Sequence, residues 1–188
     1  MRGLLKLLGY LLLLALVAAG AATAIGAAMP RTHEATRSAR FDMPAHRLYP
    51  VLITPEMFPE WRTGIARVDR LDSDRFTEHG PDGPITFRII ERTPPSRLVV
   101  AVDDAEQVFT GTWTYELVPE GTGGEWTRLR ITERGEVPNP FFRAIAGVMR
   151  SEGETMETYL KDLGRRFGQD VTIDPPSVGT VGTVGSKQ

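Results

Sequence analysis

The stretch from residue 109 to residue 168 constrains the fold more than any other part of the chain. Residues 109–119 and 126–134 alternate apolar and polar side chains on either side of a glycine-rich turn, which is typical of two antiparallel strands. An apolar stripe at helical spacing follows, from Asn139 and Pro140, which suit a helix start, to Gly168, which suits a helix end. A strand pair that leads into a long closing helix predicts a curved sheet wrapped around that helix, with room for a ligand between them.

The preceding region predicts the rest of the sheet. Residues 34–41, 65–71, 75–79 and 98–102 are expected strands, and another begins at Ile85 and ends before Pro94. A short helix is expected over residues 44–52, kinked by Pro50, because proline removes a helical hydrogen bond. We therefore predict an α+β fold, with an antiparallel sheet of six to seven strands and one long C-terminal helix that contains Gly153.

The chain divides into three parts. Residues 1–30 are predicted to be a transmembrane anchor or a signal peptide, because the uncharged run 7–29 is long enough to cross a bilayer. The run is leucine-rich first and rich in small residues later, an order that also fits a cleavable signal. That order favours a single-pass protein whose domain lies outside the cytoplasm, with secretion after cleavage as the alternative. Residues 31–168 form the predicted domain, and residues 169–188 a disordered tail.

Composition excludes several classes of function. The formal net charge of −2 gives no electrostatic basis for nucleic-acid binding. The absence of cysteine excludes disulfides, thiolate zinc sites and cysteine nucleophiles. The three histidines, His33, His46 and His79, show no metal-ligand spacing, so we expect no metal site, and nothing in the sequence indicates a cofactor.

Several short motifs occur in an order and spacing that a known family shares. They are the helix at residues 44–52, Thr54-Pro55-Glu56, Pro59-Glu60-Trp61, Glu91-Arg92-Thr93-Pro94-Pro95-Ser96-Arg97-Leu98, Gly111-Thr112-Trp113-Thr114-Tyr115-Glu116-Leu117, Ile131-Thr132-Glu133, Gly135-Glu136-Val137 and Asn139-Pro140-Phe141-Phe142-Arg143. In this respect the chain resembles the START-like (SRPBCC) superfamily, which includes polyketide cyclases/dehydrases. The resemblance implies a helix-grip fold with a cavity for an apolar ligand, and Pro50 departs from the usually unbroken family helix.

Strand parity and helix position give a set of candidate ligand-binding residues. They are Trp61, Phe87, Glu91, Trp113, Tyr115, Leu129, Ile131, Glu133, Met149, Gly153 and Met156. The aromatic and aliphatic members would form a cavity wall or, alternatively, a filled core. Glu91 and Glu133 would orient a ligand or act as general bases if they point inward. The alternative is that their strands end or bulge there and the carboxylates meet water or an arginine.

Three functions are compatible with these observations. The favoured hypothesis is membrane-tethered binding of a small hydrophobic or amphipathic ligand, such as a lipid, a quinone or a polyketide-like molecule. The alternatives are a cyclase- or dehydrase-like enzyme and a protein-interaction module with a closed cavity. No catalytic constellation can be read from the sequence, and this favours binding over catalysis.

Overall fold

Seven antiparallel strands form one sheet in the order β1-β7-β6-β5-β4-β3-β2. The computed structural model describes residues 2–81, 83–103, 109–149 and 153–175. The strands are β1 (Thr32–Phe41), β2 (Arg67–Arg70), β3 (Arg75–Gly80), β4 (Gly83–Thr93), β5 (Arg97–Val102), β6 (Thr110–Glu120) and β7 (Trp126–Glu136). The helices are α1 (Arg2–Ala28), α2 (Ala45–Leu52), α3 (Phe58–Trp61), α4 (Pro140–Met149) and α5 (Glu154–Arg166), with a 3₁₀ turn at Pro55–Met57.

The core lies between one face of the sheet and α5. Alternation along β6 and β7 places Tyr115, Leu117, Leu129 and Ile131 on the inner face, each at most 7% exposed. Four residues of α5 at helical spacing close over them, namely Met156, Tyr159, Leu160 and Leu163. The predicted α+β fold is thereby confirmed, including the parities of β6 and β7 and the short helix α2, which contains Pro50.

The C-terminal helix differs from the expected single element. It consists of α4 and α5, and Gly153 precedes α5 in the left-handed conformation with φ of 87°. A residue in that conformation cannot lie inside a right-handed helix, and glycine adopts it without steric cost. α5 packs on the domain, against β1 and α3, whereas α4 packs mainly on α1.

Close approach and a buried arginine join α4 to α1. A Cβ at Gly26 would collide with the backbone of Pro140, so glycine allows the two helices to touch. Arg143, 6% exposed, donates to the carbonyl oxygens of Gly26, Met29, Val137 and Pro138 at 2.8–3.1 Å. The Gly26 carbonyl also accepts a hydrogen bond of 3.2 Å from the Met29 N–H, so Arg143 is its second donor, whereas Met29 lies beyond the last turn of α1. Arg143 thus ties the end of α1 to the start of α4.

The start of the predicted disordered tail is folded, which corrects the boundary at residue 169. Val171 is buried, and Ile173 forms a β-bridge with Ala39. Asp174 accepts a hydrogen bond of 2.6 Å from the Ser38 hydroxyl and pairs with Arg128. These apolar and ionic contacts lie on the β1 side of the sheet, so composition alone misjudged this segment. Residues 176–188 lie outside the described part of the chain.

Candidate functional site

A cavity of about 460 Å³ lies between the inner face of the sheet, the loop after α3 and the first turn of α5. Its volume falls within the range of small-molecule sites. The walls are mainly apolar and aromatic; the lining residues include Leu52, Phe58, Ile65, Phe76, Ile85, Phe87, Ile89, Val100, Val102, Phe109, Trp113, Tyr115 and Val137. Thr155 is the only contribution that α5 makes among the described lining residues. Lining residues such as Thr63, Pro81 and Thr110 are themselves exposed, so the cavity reaches the surface between these loops.

Aromatic contacts hold the cavity wall in place. Phe76 and Phe87, which face each other across β3 and β4, stack with ring centroids 5.6 Å apart. Trp113 on β6 contacts Tyr115 on the same strand and Tyr159 on α5, with ring centroids 6.1 and 6.0 Å apart. Such pairs fix the orientation of the rings, so the wall has a defined shape.

One ion pair lies at the wall of this apolar cavity. Arg62, directly after α3, donates through Nη1 to Oε1 of Glu78 on β3 at 2.5 Å, and both side chains are less than 15% exposed. The guanidinium also lies over the rings of Phe58 and Tyr159, at 4.7 and 4.9 Å. Burial alone would lower the pKa of Arg62, but Glu78, Tyr159 and Tyr115 together outweigh burial and raise it. Arg62 is therefore positively charged at every physiological pH.

Two tyrosines share this region with Arg62. Burial raises the pKa of Tyr115 and that of Tyr159 above the usual value. The positive charge of Arg62 opposes burial in both cases without cancelling it. Both phenols are therefore neutral and available as hydrogen-bond donors.

A second polar pair lies near the opposite edge of the sheet. His33 on β1 and Glu133 on β7 both line the cavity, and Nε2 of His33 lies 3.5 Å from Oε1 of Glu133. Gly135 makes room for this histidine, because a Cβ there would collide with the imidazole ring. A histidine–carboxylate pair at the cavity wall can bind a polar group or move a proton.

Eight of the eleven candidate residues lie either in the cavity wall or in the packed core. Phe87, Trp113, Tyr115 and Glu133 line the cavity. Trp61, Leu129, Ile131 and Met156 are buried in the packed core instead, outside the cavity lining.

The helix candidates do not form the expected cover of the cavity. Gly153 is buried beside Arg37, where a Cβ would collide with the guanidinium, so its missing side chain makes room for an arginine and not for a ligand. Met149 ends α4, and its side chain lies outside the described residues.

The structure does not bring Glu91 to the cavity. The register between β4 and β5 shifts between Ile89 and Glu91, so that Ile90 is an extra residue. Glu91 then lies outside the lining, where its carboxylate accepts a hydrogen bond of 3.0 Å from Arg97. This bulge breaks the alternation of side chains along β4, from which Glu91 was expected to point inward.

Arg62 and Glu78 were missed by sequence reasoning. Arg62 follows a one-turn helix and Glu78 sits on a short strand near the sheet edge, so neither shows a periodicity that marks it as inward. Alternation from Phe76 was the one available signal, since residues 76 and 78 share a face of β3.

A smaller cleft of about 260 Å³ adjoins the cavity. It is lined by Arg62, Thr63, Glu154, Thr155, Thr158, Tyr159 and Asp162, and three of these residues, Arg62, Thr63 and Thr155, also line the cavity. Buried Asp162 accepts hydrogen bonds from the backbone and hydroxyl of Thr63, at 2.6 and 3.1 Å, which fixes α5 to the loop. Within the described ranges, no cluster of three or more histidine, cysteine or acidic side chains could hold a metal ion.

Comparisons with known proteins agree with this architecture. A family model described as "Polyketide cyclase / dehydrase and lipid transport" matches residues 32–168. Among curated proteins, none matches the chain significantly.

Solved structures share the fold at low sequence identity. A START superfamily protein from Mycobacterium smegmatis is 17% identical with a TM-score of 0.57, over 71% of this chain and 96% of that one. A conserved protein from Geobacillus kaustophilus is 13% identical with a TM-score of 0.58, over 76% and 100%. A norcoclaurine synthase from Thalictrum flavum, in complex with a transition-state analogue, is 9% identical with a TM-score of 0.60, over 72% and 93%.

Proposed function

Because the chain belongs to the polyketide cyclase/dehydrase and lipid transport family, we propose that it binds a small apolar or amphipathic molecule while α1 holds it at a membrane. The ligand would be a lipid, a quinone or a polyketide-like compound of a size that fits the cavity. The observation that carries this proposal is the cavity itself, which combines about 460 Å³ of space with walls that are mainly apolar and aromatic. That volume also disfavours an interaction module with a closed cavity.

The properties of α1 support tethering. The segment Lys6–Ala28 is long and apolar enough to span a bilayer, and only 6% of it is buried. Its leucines expose more than half of their surface, an arrangement that water disfavours and lipid does not. The contacts of Arg143 with the end of α1 favour an anchor that is retained. The leucine-rich and then small-residue order of the segment favours a domain on the extracytoplasmic side.

Native mass spectrometry with lipid extraction tests the binding proposal. The full chain would be purified from the membranes of its original host, alongside Val100→Trp, which places a large side chain in the cavity lining. Val118→Trp is the matched control, because Val118 is 46% exposed on the same sheet. We expect a stoichiometric apolar ligand on the wild type and on the control, and at least a tenfold lower occupancy on Val100→Trp.

The alternatives give different results in the same experiment. An empty wild-type protein that also fails to take up added lipids and quinones contradicts the binding proposal. Conversion of an extracted ligand by the purified chain would instead favour a cyclase- or dehydrase-like enzyme. The His33–Glu133 pair is the acid–base pair available to such an enzyme at the cavity wall.

A further inference from the structure

We infer that the cavity recognises a neutral oxygen acceptor, such as a ketone, quinone or ester carbonyl, through Arg62 and the hydroxyl of Tyr159. This inference rests on the proposed function, since it assigns a chemical class to the ligand of the same cavity. It excludes pure hydrocarbons and carboxylates as the preferred ligands. The geometry around Arg62, the residual hydrogen-bonding capacity there and the charge balance each support it.

The Arg62 guanidinium has N–H groups that form no hydrogen bond with the described residues. A guanidinium carries five N–H groups, and within the described residues only Nη1 forms a hydrogen bond, to Glu78. Nε and Nη2 form the other edge of the fork, and Arg62 lines both the cavity and the adjoining cleft. A carbonyl oxygen, with two lone pairs, is a suitable partner for such an edge.

The hydroxyl of Tyr159 points to the same conclusion independently. Tyr159 is 3% exposed and lines the cleft, and its hydroxyl has no hydrogen-bond partner among the residues the structure describes. The positive charge of Arg62 and a hydrogen-bonding interaction with the Tyr115 phenol both lower the pKa of Tyr159, yet no described atom meets full hydrogen-bond geometry with its hydroxyl. Buried polar groups in folded proteins are nearly always satisfied, so an orphaned hydroxyl beside a ligand cavity indicates a partner that the ligand supplies.

Charge balance decides between a neutral and an anionic acceptor. Arg62 and Glu78 neutralise each other, and Arg62 is the one basic side chain among the described residues that line the cleft. The other basic side chains of the described cavity lining, His33 and Arg134, are paired with Glu133 and Glu34. A carboxylate or phosphate would bring an uncompensated negative charge to a site that already holds the buried acids Glu78 and Asp162 and the exposed Glu154. A neutral carbonyl oxygen would accept hydrogen bonds from Arg62 and Tyr159 and would leave the net charge of the site unchanged.

Three probes of similar size separate these chemistries. They are 2-methyl-1,4-naphthoquinone, 2-methylnaphthalene and 2-naphthoate, measured by equilibrium dialysis against the full chain in lipid nanodiscs. Empty nanodiscs provide the correction for partitioning into lipid. We expect the quinone to bind about tenfold more tightly than the hydrocarbon, because it adds hydrogen bonds to a charged donor, and the naphthoate to bind most weakly.

Tyr159→Phe is the decisive variant. Removing a hydroxyl that has no partner leaves the fold intact, and we expect it to weaken quinone binding about threefold or more without changing hydrocarbon binding. Tyr49→Phe is the matched control, because the Tyr49 hydroxyl bonds to the Arg97 carbonyl at 3.3 Å and lies outside the cavity lining. Arg62→Lys keeps the charge opposite Glu78 but loses the guanidinium edge, so the quinone preference should fall there too.

Each outcome has a definite meaning. Equal binding of quinone and hydrocarbon, preference for the naphthoate, or an unchanged quinone affinity in Tyr159→Phe would overturn the carbonyl inference and leave apolar binding standing. Failure of all three probes to bind would overturn both the inference and the proposed function.

Discussion

Arg62 lies where the cavity, the cleft and the aromatic core meet. Its guanidinium bonds to Glu78, covers two rings and lines both spaces. Two neutral tyrosines, Tyr115 and Tyr159, lie close enough to Arg62 for its positive charge to act on their pKa values. At the scale of single residues, the polar character of the site therefore depends on a few buried groups whose protonation is fixed by their surroundings.

The tyrosines make stability sensitive to alkaline pH. Their pKa values are raised by burial, so unfolding exposes phenols that release protons near pH 10, whereas the folded chain keeps them. The stability that they contribute is complete below about pH 10 and is lost progressively above it. Urea denaturation between about pH 9 and pH 11 should show a steeper decline for the wild type than for Tyr115→Phe/Tyr159→Phe. Parallel curves would contradict the assignment.

At the scale of elements, the division of the closing helix is the main departure from a continuous grip. Gly153 changes the direction of the chain, and Arg37, which pairs with Glu157 at 2.8 Å, occupies the space beside it. The division leaves α5 on the sheet and releases α4 to pack on α1.

Gly153→Ala should therefore destabilise the domain. A Cβ would be strained at φ of 87° and would displace Arg37, so we expect the free energy of unfolding to fall by more than about 1 kcal/mol. Gly123→Ala, in an exposed turn where a Cβ would make ordinary contacts, should change it by less than about 0.5 kcal/mol. Urea denaturation measures both, and equal effects would show that Gly153 has no special role.

The elements that could be predicted are those with strong local patterns. Alternation placed Phe87, Trp113 and Tyr115 on the inner face of the sheet, and turn residues bounded their strands. The helix break escaped prediction because an apolar stripe continues across Gly153, and a glycine within such a stripe does not by itself indicate a positive φ. Long-range pairing decided the rest: Arg62 meets Glu78 and Asp174 meets Arg128 only once the sheet has formed.

At the scale of the whole molecule, the domain and α1 form a connected structure. The four carbonyl contacts of Arg143 join α1, the end of the sheet and α4 in one cluster. Hydrogen bonds from a charged donor to buried acceptors are among the stronger ones, so this cluster contributes substantially to the attachment.

Arg143→Met should loosen that attachment without unfolding the domain. We expect amide hydrogen exchange at residues 26–29 and 140–145 to accelerate about tenfold or more in nanodiscs, while β6 and β7 stay protected. Arg130→Met is the control, because Arg130 is 47% exposed and its pairing with Glu116 at 4.0 Å contributes little. Unchanged exchange in Arg143→Met would show that other contacts hold the two helices together.

The short connection between α1 and β1 determines what the domain can reach. Only three residues separate Ala28 from Thr32, a span of about 10 Å at full extension. Arg143 restrains this connection further by its hydrogen bond to the carbonyl oxygen of Met29. A domain on a long flexible linker explores a volume that grows with linker length and can exchange cargo with distant partners. With α1 in the bilayer, this domain has no such search volume. Any exchange of cargo would then take place close to its own membrane, and any soluble partner would have to come to that surface.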